Sequence, residues 1–198
     1  CTKLNYIKCL ATDISAYNCT SNWVDGVAST GTFVKAADMA GWTTGVKGIP
    51  NGWTVEENID YTKEPLTFKI TSPGTVNWTA LDGSETKTKT IDYKKNNGEW
   101  VSITSNTEGA KITVNSGDKV QFRGNNATYC DGGSSCNMFG GSTAGFEVEG
   151  NIMSLIYGDN FATLTTLESA FTFYMLFKNC TGLTSAKNLI LPSTTLVQ

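Results

Sequence analysis

The sequence predicts a mainly β chain whose central part, residues 61–150, folds as an immunoglobulin-like antiparallel β-sandwich. Three observations predict it. The 198 residues include 29 threonines, and a β-branched side chain suits a half-wet pleated surface better than a helix interior. Between Leu66 and Val148 the chain breaks into short runs of alternating polarity bounded by turn residues, the signature of strands with one face on a core. Two of the intervening stretches, Asn96-Asn97-Gly98-Glu99 and Asn115-Ser116-Gly117-Asp118, carry the Asn, Asp and Gly residues that tolerate tight-turn backbone angles.

Taken in order, the expected strands are Leu66–Thr71, Thr75–Thr79, Thr88–Lys94, Trp100–Thr104, Ala110–Asn115, Lys119–Arg123 and Gly145–Glu149. Val76, Trp78 and Ala80 place one apolar face against Asn77 and Thr79. Val120 and Phe122 do the same against Lys119, Gln121 and Arg123. On this pattern Trp78 and Trp100 are core anchors. The Asn-Gly pair joins the third and fourth strands as a hairpin, and spacing of this kind fits a sandwich without fixing its strand order.

The flanks read differently. Met175-Leu176-Phe177-Lys178-Asn179-Cys180-Thr181-Gly182-Leu183 runs on to Leu189-Ile190-Leu191-Pro192-Ser193-Thr194-Thr195-Leu196, and the chain opens with Cys1-Thr2-Lys3-Leu4. Cys-Thr-x-Leu thus occurs at both ends, as an excerpt from a longer repeat array would show. The run Met175–Leu196 resembles the repeat of BspA-like leucine-rich-repeat surface proteins, with Asn188-Leu189-Ile190 as a local insertion. Trp23-Val24, Gly31-Thr32-Phe33-Val34-Lys35 and Gly48-Ile49-Pro50-Asn51-Gly52-Trp53 look like pieces of the segment that closes such an array. The resemblance implies three parts: 1–60 as the end of a leucine-rich-repeat (solenoid) array, 61–150 as the sandwich, and 151–198 as the start of a further array. It also implies export, a place at the bacterial cell surface, and adhesion to host extracellular proteins, glycans or other cells. No catalytic residue comes with it.

Composition narrows the function classes independently. There is no histidine, which removes the commonest general base and metal ligand, and the acidic residues are scattered rather than paired across a recognisable cleft. The chain is expected to be no enzyme and to need no cofactor or metal. A net charge of −3 with Arg123 as the single arginine leaves no footprint for nucleic acid. No apolar run reaches the roughly 20 residues of a membrane helix, and no export signal is visible. Cys130 and Cys136 bracket Asp131-Gly132-Gly133-Ser134-Ser135, a stretch whose ends can meet in a disulfide under oxidising conditions or remain as two thiols under reducing ones. Cys1, Cys9, Cys19 and Cys180 read as small buried residues of a repeat.

Two functional expectations follow. The first is an adhesion or structural module that presents neighbouring repeat arrays. The second is a carbohydrate- or glycoprotein-binding module with Trp23, Trp42 and Trp53 as stacking rings and Asn125, Asn126 and Tyr129 on a sandwich loop. A third setting for the same modules is a bacteriophage fibre or decoration protein, where self-association would be expected.

Overall fold

A computed structural model describes residues 1–39, 41–80, 88–106, 110–130 and 137–192, and the chain divides into two compact units, Cys1–Asp60 and Tyr61–Gln198. The chain is mainly β, in one parallel, one mixed and one antiparallel sheet among the described residues; the helical residues described are the single-turn α1 (Ser154–Tyr157) and a 3-10 turn at Gly158–Asn160.

The smaller unit is built on three short parallel strands, β1 (Tyr6–Cys9), β2 (Thr32–Ala36) and β3 (Thr54–Asn58), in the order β1-β2-β3. Tyr6 pairs with Thr32 and Thr32 with Thr54, so the chain returns to the same position after 32 − 6 = 26 and then 54 − 32 = 22 residues. Parallel neighbours need such long connections. Here turns make them, with Asn18, Asn22 and Gly26 in the left-handed region that Asn and Gly tolerate best. The coils abut closely: a Cβ on Gly31 would fall on the Asn5 carbonyl and within 2.8 Å of the Trp53 ring. Phe33, Ile49 and Trp53 form the core of this unit.

In the larger unit, β4 (Leu66–Ser72), β9 (Lys119–Arg123), β6 (Thr90–Lys95), β7 (Val101–Thr104), β10 (Gly145–Asn151) and β11 (Leu183–Ile190) make one six-stranded sheet of order β11-β10-β4-β9-β6-β7. β5 (Gly74–Trp78) and β8 (Ala110–Val114) pair separately. The strands between 66 and 151 therefore lie where alternation puts them, within a residue or two. Leu66, Phe68, Val120, Phe122 and Phe146 of the large sheet share a fully buried core with Val76 and Trp78 of the small one. Phe68 and Phe146 stack at 4.4 Å between ring centroids, and such aromatic pairs contribute about 0.5–1.5 kcal/mol beyond the area they bury.

Several expectations need correction. Trp100 is not part of the core: it is half-buried, with the Arg123 guanidinium 4.3 Å and the Lys94 ammonium 5.1 Å from its ring centroid. Asn77 and Gln121, expected on the face opposite the apolar one, are buried, and so is Thr67. The 61–65 segment covers Thr67 and Gln121, since Thr67 Oγ1 donates to the Pro65 carbonyl and Gln121 Nε2 to Glu64; Asn77 donates to the Gly141 carbonyl. In the Asn96–Glu99 turn the left-handed residue is Asn96 rather than the Asn97-Gly98 pair. In the next turn Gly117 takes φ +89°, and the Asn115 N–H, 2.8 Å from Asp118 Oδ2, holds that carboxyl below the usual carboxylate range.

Residues 151–192 share the compact unit and the core of the strands that precede them. Met153, Leu155, Phe161 and Leu176 are buried in the same cluster as Trp78 and Phe122. Ser154 ties the pieces together: its Oγ accepts from the Leu66 N–H at 2.9 Å and donates to the Phe122 carbonyl at 2.8 Å. β11 then adds to β10 in parallel, Phe146 opposite Leu183 and Asn151 opposite Ile190, in a sheet that is otherwise antiparallel.

Candidate functional site: a polar cleft at the end of the larger sheet

The three tryptophans expected as stacking rings do belong together, but they close the smaller unit rather than offer a platform. Trp53 is buried and its indole N–H donates to the Ala28 carbonyl at 2.8 Å; Trp23 donates to the Gly48 carbonyl at 3.0 Å. Each bond ties one coil to the next. Trp23, 37% exposed, spends one face on Trp42, which stacks on it at 5.4 Å and 11°, and both rings meet Phe33 edge-on. The Trp42 Nε1 is buried without a hydrogen-bond partner. A sugar face needs an open ring, and the flat faces of Trp23 and Trp42 are turned to each other.

Asn125, Asn126 and Tyr129 separate. Tyr129 is fully buried, donates its hydroxyl to the Leu155 carbonyl and meets the Trp78 ring edge-on at 5.3 Å. Burial pushes its phenol up to about 12, so it stays neutral and inaccessible. Asn126 donates its side-chain amide to the Thr90 carbonyl at 2.8 Å, and Asn125 is exposed.

Asn125 and Asn126 instead line a cleft of about 510 Å³ together with Thr90, Asp92, Arg123 and Asp159. Its centre is Arg123, the last residue of β9, which reaches two carboxylates: Nε lies 3.3 Å from Asp92 on the neighbouring β6, and Nη1 lies 2.6 Å from Asp159 in the 3-10 turn. Asp92 also accepts from Ser102 Oγ at 2.7 Å. The guanidinium rests against Trp100, an attraction of about 0.5–2 kcal/mol depending on exposure. Both carboxylates are thus engaged by one cation rather than facing each other across an open cleft, and no histidine exists to act as base. The arrangement is suited to binding. Sequence reasoning missed Asp92, Ser102, Arg123 and Asp159 because their association depends on strand register and on a turn 36 residues away. The available signal was the single arginine in a chain whose other cations are lysines, since arginine is the cation that holds planar, multiply bonded positions.

Cys130 is disulfide-bonded, and Cys136 lies outside the described residues. Cys1, Cys9, Cys19 and Cys180 are free. Against the expectation of burial, Cys1 and Cys19 are exposed and Cys9 and Cys180 are half-buried; Cys180 donates to the Phe139 carbonyl at 3.1 Å and desolvation pushes its thiol up to about 11. Among the described residues no group of three or more His, Cys, Asp or Glu side chains is placed to hold a metal ion, and no helix is long and apolar enough to cross a membrane. No protein-family model, curated protein or solved structure matches the chain.

Proposed function

We propose that this chain is a non-enzymatic extracellular module of a bacterial surface protein of the BspA-like leucine-rich-repeat kind, in which an immunoglobulin-like sandwich is carried by repeat segments and presented for adhesion. One observation carries the reading: each Cys-Thr-x-Leu occurrence leads into a strand with a parallel neighbour. Cys1-Thr2-Lys3-Leu4 precedes β1, which pairs with β2, and Cys180-Thr181-Gly182-Leu183 runs into β11, which pairs with β10. Parallel rungs at intervals of 26 and 22 residues are what stacked repeat units produce, each burying an edge that it cannot bury alone.

The path through the larger unit supports presentation over simple extension. Pro65, just before β4, bridges to Asn151, and Ile190, the last residue of β11, also pairs with Asn151. The strands that open and close this unit therefore meet the same residue at one end of the sheet, only two strand spacings, or about 10 Å, apart. Such close termini let a domain be carried to the side of a chain's path.

Antibodies raised against the purified chain test the location on intact cells of the organism that carries the sequence, before and after mild protease shaving. The expected result is label on unbroken cells that shaving removes. Label that appears only after lysis contradicts the proposal, and label confined to phage particles in the medium replaces it with a virion protein.

A further inference from the structure

We propose that the cleft around Arg123 is a binding site for a neutral saccharide. Its volume, about 510 Å³, falls in the range of roughly 300–1,000 Å³ that small-molecule sites occupy, and apart from Ile91 the side chains of its walls are hydroxyl, amide, carboxylate and guanidinium groups. The inference rests on this cleft alone and does not depend on where the protein resides.

The site is preorganised. Arg123 is fixed by Asp92 at 3.3 Å, by Asp159 at 2.6 Å and by the Trp100 face at 4.3 Å, and Asp92 is in turn fixed by Ser102 at 2.7 Å. A guanidinium held on three sides loses little further freedom when it binds, which is where affinity is usually forfeited. Capacity is left over. Within the described residues, Arg123 bonds through Nε and Nη1 and leaves Nη2 unused, Asp159 uses Oδ1 and leaves Oδ2, and the Asn125 side chain makes no hydrogen bond. The cleft therefore offers a fixed pair of donors, a carboxylate acceptor, and an amide that does both. A sugar hydroxyl is donor and acceptor at once, and neighbouring hydroxyls on a ring present that combination repeatedly.

Charge selects within the class. One guanidinium beside two carboxylates gives the cleft a local charge of −1, which disfavours phosphorylated, sulfated or sialylated ligands, while the central cation disfavours a bare metal ion. Trp100 supports Arg123 rather than the ligand, which distinguishes this site from one built on ring stacking.

The test is a glycan array carrying mannose-, galactose- and N-acetylglucosamine-terminated oligosaccharides beside sialylated and sulfated ones, probed with the full chain, followed by calorimetric titration of the retained glycans. Asn125→Ala and Asp159→Ala change exposed side chains, and an unchanged melting curve verifies that each variant is folded. The expected result is retention of neutral glycans, weakened about tenfold or more by each variant and unaffected by Trp23→Ala. The proposal is overturned if the folded chain retains no glycan, retains only acidic ones, binds neutral glycans equally well in both cleft variants, or loses binding in Trp23→Ala.

Discussion

Tyr129 carries its hydroxyl into the core of the larger unit, where burial raises its phenol from 10.0 to about 12, and Cys180 nearby in the same core has its thiol raised from 9.0 to about 11. In both cases the folded chain favours the neutral form. Below pH 9 neither the folded nor the unfolded state ionises these groups and their contribution is intact; above it the unfolded chain loses the thiol proton first, then the phenol proton from about 10, and folding is penalised until the folded values are passed. The melting temperature of the larger unit should therefore hold from pH 7 to about 9 and fall between about 9 and 12, with Tyr129→Phe removing the upper part of the fall. A melting temperature level to pH 11.5 contradicts the burial described. The place of Tyr129 was not legible in the sequence. Tyr129 sits among Gly, Asn and Thr and reads as a loop ligand, because its partner carbonyl is 26 residues away on Leu155. Trp100 reads as core for the opposite reason: it borders an alternating strand, but its neighbours are the cations of two other strands.

At the scale of elements, β10 shows how one strand serves two unlike partners. It is antiparallel to β4 on one side and parallel to β11 on the other, with register shifts along both pairings. Gly150 takes φ +84°, and a Cβ there would fall on the Pro65 carbonyl and within 3.0 Å of that of Glu64. Gly150→Ala must strain the backbone and displace the 61–65 segment, a combined cost of about 3 kcal/mol, which should lower the melting temperature by roughly 10 °C. A shift within about 2 °C on the same scale means that the segment yields freely. The strands from Leu66 to Asn151 were legible because alternation and turn chemistry are local. β1, β2, β3 and β11 were not read as strands: β3, Thr-Val-Glu-Glu-Asn, is exposed along most of its length, and what makes it a strand is a parallel neighbour 22 residues earlier. The cleft was illegible in the same way, since Asp92, Arg123 and Asp159 meet only once register and turn are in place.

At the scale of the whole molecule, the segment after residue 151 completes the fold of the strands before it and is not an appendage to them. The buried Met153, Leu155, Phe161 and Leu176, the Ser154 bonds to β4 and β9, and the parallel addition of β11 all point this way. Strands and a following segment that share one core cannot be loosened separately. The shared core was not legible in the sequence, because a short motif such as Cys-Thr-x-Leu states its own spacing and not what it packs against. The most direct measurement is calorimetric melting of the full chain beside a chain ending at Asn151. The shorter chain should lose the cooperative transition of the larger unit while that of the smaller unit persists. A shorter chain that keeps both transitions at unchanged temperatures would contradict this, and would make the strands up to Asn151 self-sufficient.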